Sequence, residues 1–159
     1  MSLKKLALVA TAVGALSLAA VASAAVILGT PGDDLLRGTP DADQISAFAG
    51  SDIVYAGAGN DDVRLGEGND AARAGHGHDT VFGGRGNDMV AGGFGGDRLR
   101  GGSDSDWVAG GHGRDRASGN RGDDVVWGNR GSDSLFGGWG ADLVFGGLGP
   151  DQLHALAAD

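Results

Sequence analysis

The chain has 159 residues, enough for one domain, with no cysteine and a formal net charge of −9. The absence of cysteine excludes a disulfide framework and a cysteine–zinc site, and the acidic balance argues against nucleic acid as a partner. Glycine accounts for 33 residues, a composition typical of disorder unless the glycines recur at a fixed period.

The first 24 residues differ in composition from the rest. Lys4 and Lys5 give a short basic start, residues 6–21 are almost entirely apolar, and residues 22–24 (ASA) have the small-x-small pattern of a cleavage site. This pattern predicts a secretory signal peptide at residues 1–24 and therefore a secreted, extracellular bacterial protein. A retained membrane anchor is the alternative, but the run is short and rich in alanine. Cleavage would leave ten Arg against 21 acidic residues, a charge of −11.

Residues 29–154 consist of fourteen consecutive nine-residue units without insertion or deletion. The clearest pair, residues 83–100, reads GGRGNDMVA GGFGGDRLR, so each unit is Gly-Gly-x-Gly-x-Asp-x-aliphatic-x. Self-similarity at a fixed short period indicates a solenoid. The sixth-place aspartates are Asp34, Asp43, Asp52, Asp61, Asp70, Asp79, Asp88, Asp97, Asp106, Asp115, Asp124, Asp133, Asp142 and Asp151.

Each unit combines a turn with a short strand. Places one to six predict a glycine-rich turn, and places seven to nine predict a strand whose middle side chain points inward. Two units make one 18-residue coil, so the array predicts about seven coils in a stack about 34 Å long. Residues 25–28 continue the register as an N-terminal capping strand, and residues 155–159 form a short tail.

Some units depart from the pattern. The first two have Thr at place two and Pro at place three, and Asp41, Asp104 and Pro150 are irregular turn residues. Units three to six open with a residue other than glycine at place one. Turns near the ends are therefore expected to be less regular than those in the middle. These first-place residues are Ala47, Ala56, Leu65 and Ala74.

Stacked coils place the sixth-place aspartates in one column along each edge, about 5 Å apart per step. Such a column repels itself, so cations are required between the carboxylates. Calcium takes six to eight oxygens from carboxylates and backbone carbonyls, whereas magnesium requires a smaller and stricter octahedron. Zinc or copper would require His or Cys, and the four His occupy no fixed place in the repeat.

The units GGRGNDMVA and GGFGGDRLR resemble the RTX (haemolysin-type) calcium-binding nonapeptide, and the resemblance extends over residues 29–154. It implies an all-β fold, a right-handed parallel β-roll, with calcium between the turns of units n and n+2. Asp88 would pair with Asp106 on one edge, and Asp79 with Asp97 on the other, together with glycine-turn carbonyls. Six gaps per edge allow at most about twelve ions, although twelve ions would raise a charge of −11 to +13.

Places seven and nine point outward and give the two sheets different faces. On the odd units twelve of these fourteen residues are apolar, whereas on the even units only Phe82 and Phe136 are. The apolar face suggests a contact surface for a second copy, for sugar rings or for a partner protein. Ordinary aromatic residues on a β-surface are the alternative. The candidate partner-binding residues are Tyr55, Met89, Trp107, Trp127 and Phe145.

The pattern favours a secreted, non-enzymatic protein that folds when calcium binds between its turns. Calcium affinities of extracellular modules, ~10⁻⁴–10⁻³ M, are expected. The alternative is an extracellular adhesive or interaction module that uses the apolar face. No catalytic domain and no Ser/His/Asp arrangement can be assembled from the sequence, so we predict that the protein is not an enzyme. After signal cleavage no membrane span is expected.

Overall fold

The computed structural model describes residues 7–9 and 24–154, and within these ranges it contains sixteen strands and no helix. The repeat explains why these ranges contain strands and no helix, because the alternating apolar segment of each unit is bounded by glycines and is too short for a helix. The strands are β1 Ala7–Val9, β2 Val26–Leu28, β3 Leu35–Arg37, β4 Gln44–Ala49, β5 Ile53–Ala58, β6 Asp62–Glu67, β7 Ala71–His76, β8 Thr80–Arg85, β9 Met89–Phe94, β10 Arg98–Ser103, β11 Trp107–Gly113, β12 Arg116–Arg121, β13 Val125–Gly131, β14 Ser134–Trp139, β15 Leu143–Leu148 and β16 Gln152–His154.

From β2 onward the strands alternate between two parallel sheets. One sheet has the order β1-β2-β4-β6-β8-β10-β12-β14-β16, and the other has the order β15-β13-β11-β9-β7-β5-β3. From β2 onward, paired residues are 18 apart in sequence, as Leu99 is from Val81 and Ala117. The predicted all-β solenoid of about seven coils, with 18 residues per coil, is therefore confirmed.

The two ends of the chain remain mostly outside the described ranges. Of the predicted signal peptide only β1 and Ala24 are described, and the predicted tail at residues 155–159 is not. β1 pairs in parallel with β2, which itself pairs with β4. Within the described part of the chain, no helix has the length and hydropathy needed to cross a membrane.

The strands are longer than the repeat predicted. Most span six residues, because the ladder runs through places seven to nine and continues through places one to three of the next unit, as in β8. The turn is therefore confined to places four to six. The predicted turn over places one to six was therefore wrong. Second-place glycines such as Gly84 have a positive φ (+132°), a conformation that favours glycine, and still pair with the neighbouring strand in register.

The core contains a second row of side chains that the sequence analysis treated as irregularities. A side chain at place one points into the same interior as the side chain at place eight. The four residues that replace glycine at place one in units three to six are therefore part of the core. Each of the four is fully buried. The N-terminal half of the solenoid therefore buries more apolar surface per coil than the C-terminal half. These residues are Ala47, Ala56, Leu65 and Ala74.

Phe48 is a strained residue at place two, where most units have glycine. Its φ is 83° and its side chain is 50% exposed. Because a bulky residue with positive φ is strained, we expect Phe48→Gly to raise the unfolding free energy by roughly 1 kcal/mol. Thermal unfolding in saturating calcium would measure the change.

Phe94→Gly is the matched control. Phe94 is also 50% exposed but lies at place three of its repeat unit, at the end of β9, without a positive φ. It stacks between His76 and His112, with ring centroids 4.7 Å apart on each side. This variant should therefore lose stability, and the strain at Phe48 would be refuted if both variants were destabilised equally.

Candidate metal centre

The sixth-place aspartates form two columns inside the turns, one along each edge of the solenoid. Twelve of the fourteen are buried, with exposures between 0% at Asp79 and 8% at Asp34. The two in the last coil, Asp142 and Asp151, are half-buried. Aspartate is rarely buried without a partner, so the columns require a compensating charge or proton.

From Asp43 onward, one oxygen of each carboxylate is used to join neighbouring coils. The backbone N–H of Asp88 donates to Asp106 Oδ1 at 2.8 Å, and the N–H of Asp97 donates to Asp115 Oδ1 at 2.9 Å. The same bond recurs from Asp34 to Asp52 at the start of the array and from Asp133 to Asp151 at its end. The predicted pairs of units n and n+2 are therefore direct neighbours along each edge.

The other oxygen, Oδ2, has no such role. In eleven of the fourteen aspartates it is buried and has no hydrogen-bond partner among the described residues. An unpartnered buried anionic oxygen is strongly unfavourable, and a bound cation is one way to compensate it. These eleven are Asp52, Asp61, Asp70, Asp79, Asp88, Asp97, Asp106, Asp115, Asp124, Asp133 and Asp142.

Burial also changes the acid–base chemistry of the columns. It is the main cause that raises the pKa of ten of the sixth-place carboxyls, and the hydrogen bond from the backbone N–H 18 residues earlier lowers the pKa in part. Neighbouring carboxylates add a smaller upward shift. Without a cation, the carboxyls of highest pKa therefore hold part of their protons near neutral pH. The pKa rises to about 7 in Asp61, Asp88, Asp106 and Asp115, rises to about 6 in Asp52, Asp97 and Asp124, and is also raised in Asp70, Asp79 and Asp133.

Backbone oxygens converge on the unpartnered carboxylate oxygens. A Cβ built on Gly128 would stand 2.5 Å from Asp133 Oδ2 and 2.5 Å from the carbonyl oxygen of Gly146 in the next coil. Glycine at place one thus leaves room for oxygens of two coils to approach each other. In the described ranges no three His, Cys, Asp or Glu side chains cluster, so an ion would take its remaining ligands from the backbone. Mixed carboxylate and carbonyl oxygen fits calcium.

The first two units differ from this arrangement. The N–H of Thr30 donates to Asp34 Oδ2 at 2.5 Å, and the Thr30 hydroxyl donates to the same oxygen at 3.0 Å. Thr39 likewise donates to Asp43, from its N–H at 2.6 Å and from its hydroxyl at 3.0 Å. Threonine at place two therefore satisfies these carboxylates from within their own turns.

The sequence analysis missed a second ladder, formed by side chains at place five. Asn60 Oδ1 accepts the N–H of His78 at 2.8 Å, and Asn87 Oδ1 accepts the N–H of Ser105 at 2.9 Å. Asp123 Oδ1 accepts the N–H of Ala141 in the same way. Recurring Asn and Asp at place five is the signal that predicts these bonds, because short polar side chains bond to neighbouring turn backbone.

The five candidate partner-binding residues lie together on the seven-stranded sheet. Tyr55, Met89, Trp107 and Phe145 are 41%, 55%, 50% and 40% exposed, whereas Trp127 is half-buried and stacks on Phe145 with centroids 4.2 Å apart. Tyr55, Met89 and Trp107 line one groove of about 300 Å³ over a floor that includes alanines. That these five residues bind a partner remains a prediction.

A parallel β-solenoid with columns of buried carboxylates and converging backbone oxygens belongs to the class of repeat proteins with oxygen-lined, cation-binding turns. The family model described as RTX calcium-binding nonapeptide repeat (4 copies) matches residues 28–63, 59–90, 91–126 and 118–153. The chain therefore belongs to the RTX calcium-binding nonapeptide repeat family, as the sequence predicted. A comparison with curated proteins gave no match.

Proposed function

We propose that this is a secreted, non-enzymatic protein whose folding is driven by calcium binding between stacked turns. The observation that carries the proposal is the set of eleven sixth-place aspartates whose Oδ2 is buried and unpartnered among the described residues. Calcium would neutralise the columns, satisfy these oxygens and take backbone carbonyls as further ligands. Secretion rests on the sequence of residues 1–24 and on the higher calcium concentration outside cells.

The ions would lie between aspartates of successive coils on one edge. Asp88 and Asp106 would flank one such ion, and Asp79 and Asp97 another, as the repeat predicted. The threonine bonds make Asp34 and Asp43 poor ligands, which removes the first gap on each edge. We therefore expect five ions per edge, or about ten in all, rather than twelve.

Equilibrium dialysis of residues 25–159 against radioactive calcium tests the proposal, with magnesium as the competitor. The expected result is multiple ions per chain with dissociation constants in the ~10⁻⁴–10⁻³ M range and little displacement by equimolar magnesium. Binding of no calcium at millimolar concentration would refute the proposed function.

A second function, contact through the apolar face, is favoured by a separate observation. The outward residues of this sheet include no acid, although the whole chain carries a charge of −9. Two copies could therefore approach through this face without bringing acidic groups together, and Arg73 is the charged residue that lines the groove. We propose a second copy of the chain as the occupant of the groove between Tyr55 and Trp107.

Replacing both Trp107 and Trp127 by Ser is expected to convert the calcium-loaded protein from dimer to monomer, because the substitutions remove the largest aromatic contact area. Sedimentation equilibrium would measure the mass. Phe82→Ser with Phe136→Ser, on the opposite sheet, is the control and should leave the mass unchanged. An unchanged mass in the tryptophan variant, or a monomeric parent protein, would contradict self-association.

A further inference from the structure

The nine-stranded sheet carries a concentration of positive charge that the calcium sites do not use. Arg98, Arg100 and Arg116 lie on β10 and β12 and are all exposed. Arg98 and Arg116 are direct partners in the parallel register, so their backbones are about 4.8 Å apart. Like charges placed directly opposite each other are unfavourable without a counter-charge.

These three arginines have no acidic partner in the described part of the chain. The ion pairs there join Arg64 to Asp62 at 3.0 Å and Arg85 to Glu67 at 2.9 Å. Both pairs lie on β6 and β8, at the N-terminal side of the cluster. The C-terminal half of this face is therefore positive on a chain that is acidic as a whole.

The arginines surround a depression of about 440 Å³, the arginine cleft, which includes Phe82, Phe136 and Trp139. Arg100 lies over the Phe82 ring at 5.3 Å, and Arg116 lies over the Phe136 ring at 4.5 Å. Stacking on an aromatic ring holds a guanidinium plane in place and leaves its N–H edge free for a carboxylate or sulfate. The cleft is thus organised to receive oxyanions.

Its remaining groups indicate the rest of the ligand. Thr80, Ser118 and Asn120 contribute hydroxyl and amide groups, and the Trp139 side chain is 69% exposed at one end of the cleft. Sugar rings fit this combination, because their hydroxyl groups can hydrogen-bond with the polar side chains and their carbon faces can pack on the indole.

The cleft adjoins one of the carboxylate columns. A second depression of about 380 Å³ contains Arg98 and Arg116 together with the sixth-place Asp97 and Asp115. Calcium between these two aspartates would cancel the negative charge closest to the arginines. An anion should therefore bind the calcium-loaded protein better, and the coupling must be reciprocal.

We propose that the arginine cleft binds a polysaccharide bearing carboxylate or sulfate groups, and that calcium loading strengthens this binding. The calcium dependence rests on the proposed function, whereas the cleft itself does not. The arginines hold the acid groups, and Trp139 with the polar side chains contacts the sugar rings.

Fluorescence anisotropy with labelled dextran, carboxymethyl-dextran and dextran sulfate tests the proposal on one common backbone, using residues 25–159 in millimolar calcium. We expect at least one acidic dextran to bind and neutral dextran not to bind. Arg98→Gln with Arg116→Gln should weaken binding at least about tenfold, because two charge-assisted contacts are lost. The control, Arg37→Gln with Arg73→Gln, makes the same charge change at exposed arginines of the opposite sheet and should change affinity less than about twofold.

Equal loss in the two double variants would show general charge attraction and overturn the proposal. Equal binding of neutral dextran, or no binding of either acidic dextran, would also overturn it. Polyphosphate that binds more tightly than both acidic dextrans would refute the saccharide class. Calcium dialysis of the same samples separates the two hypotheses. Acidic dextran binding that requires Arg98 and Arg116 in a chain without calcium binding would support the cleft and refute the proposed function.

Discussion

Asp88→Asn is expected to lower the unfolding free energy of the calcium-loaded protein by about 1.5–3 kcal/mol. The substitution keeps the oxygen that accepts the N–H of Asp70 at 3.0 Å, so the backbone ladder survives. It removes the charge and the unpartnered Oδ2 that face the ion. Loss of one charged ligand costs about 1.5–3 kcal/mol. The calcium concentration at the midpoint of folding should shift by less than about twofold, because about ten ions bind as the chain folds.

Asp34→Asn is the matched control for this prediction. It makes the same chemical change on the same edge of the solenoid, but Asp34 Oδ2 already accepts two hydrogen bonds from Thr30. Its unfolding free energy in saturating calcium should therefore fall by less than about 1 kcal/mol. Urea unfolding in saturating calcium, followed by far-UV circular dichroism, would measure both variants. Equal losses would mean that the threonine bonds do not exclude an ion.

Without calcium, the solenoid is expected to be more stable in mild acid than at neutral pH. Burial raises the pKa of Asp88 and Asp115 from about 3.8 to about 7, so the folded chain binds more protons than the unfolded chain between these values. Stability is then fully present below about pH 3.8 and is lost as pH rises through 6 to 7. A shift of about three pKa units on one carboxyl corresponds to about 4 kcal/mol.

Far-UV circular dichroism of the metal-free protein between pH 4 and pH 8, with urea unfolding at each pH where the chain is folded, would measure this dependence. Asp115→Asn should flatten the slope, because an amide does not titrate in this range. Saturating calcium should remove the acid preference, since the ion requires deprotonated carboxylates. Higher stability of the metal-free chain at pH 8 than at pH 5 would contradict the raised pKa values.

The periodic features of the structure could be read from the sequence, and the features that depend on side-chain geometry could not. The unbroken nine-residue register fixes which strands pair and which aspartates align, so the sheets and both columns followed from counting. The inward direction of place one did not, because glycine at this place shows no preference for either side. Leu65, fully buried, therefore joins the core although the pattern treated it as an irregularity.

Two other features could not be predicted because they depend on contacts between turns. The hydrogen bonds of Thr30 and Thr39 to their own aspartates require a particular turn conformation, although Thr at place two was visible in the sequence. The arginine cleft arises because Arg98 and Arg116 lie on adjacent strands while Phe136 lies on the next. The repeat gave their face and strand order, but it did not indicate the cation–π contacts.

Far-UV circular dichroism of residues 25–159 during a calcium titration, with magnesium as the control, tests the central claim most directly. Calcium-driven folding requires a coil-to-β transition near millimolar calcium at neutral pH, reversed by chelator and not reproduced by magnesium. A β spectrum that chelator leaves unchanged at pH 7.5 would contradict it. The carboxylate columns would then be held by the protein alone.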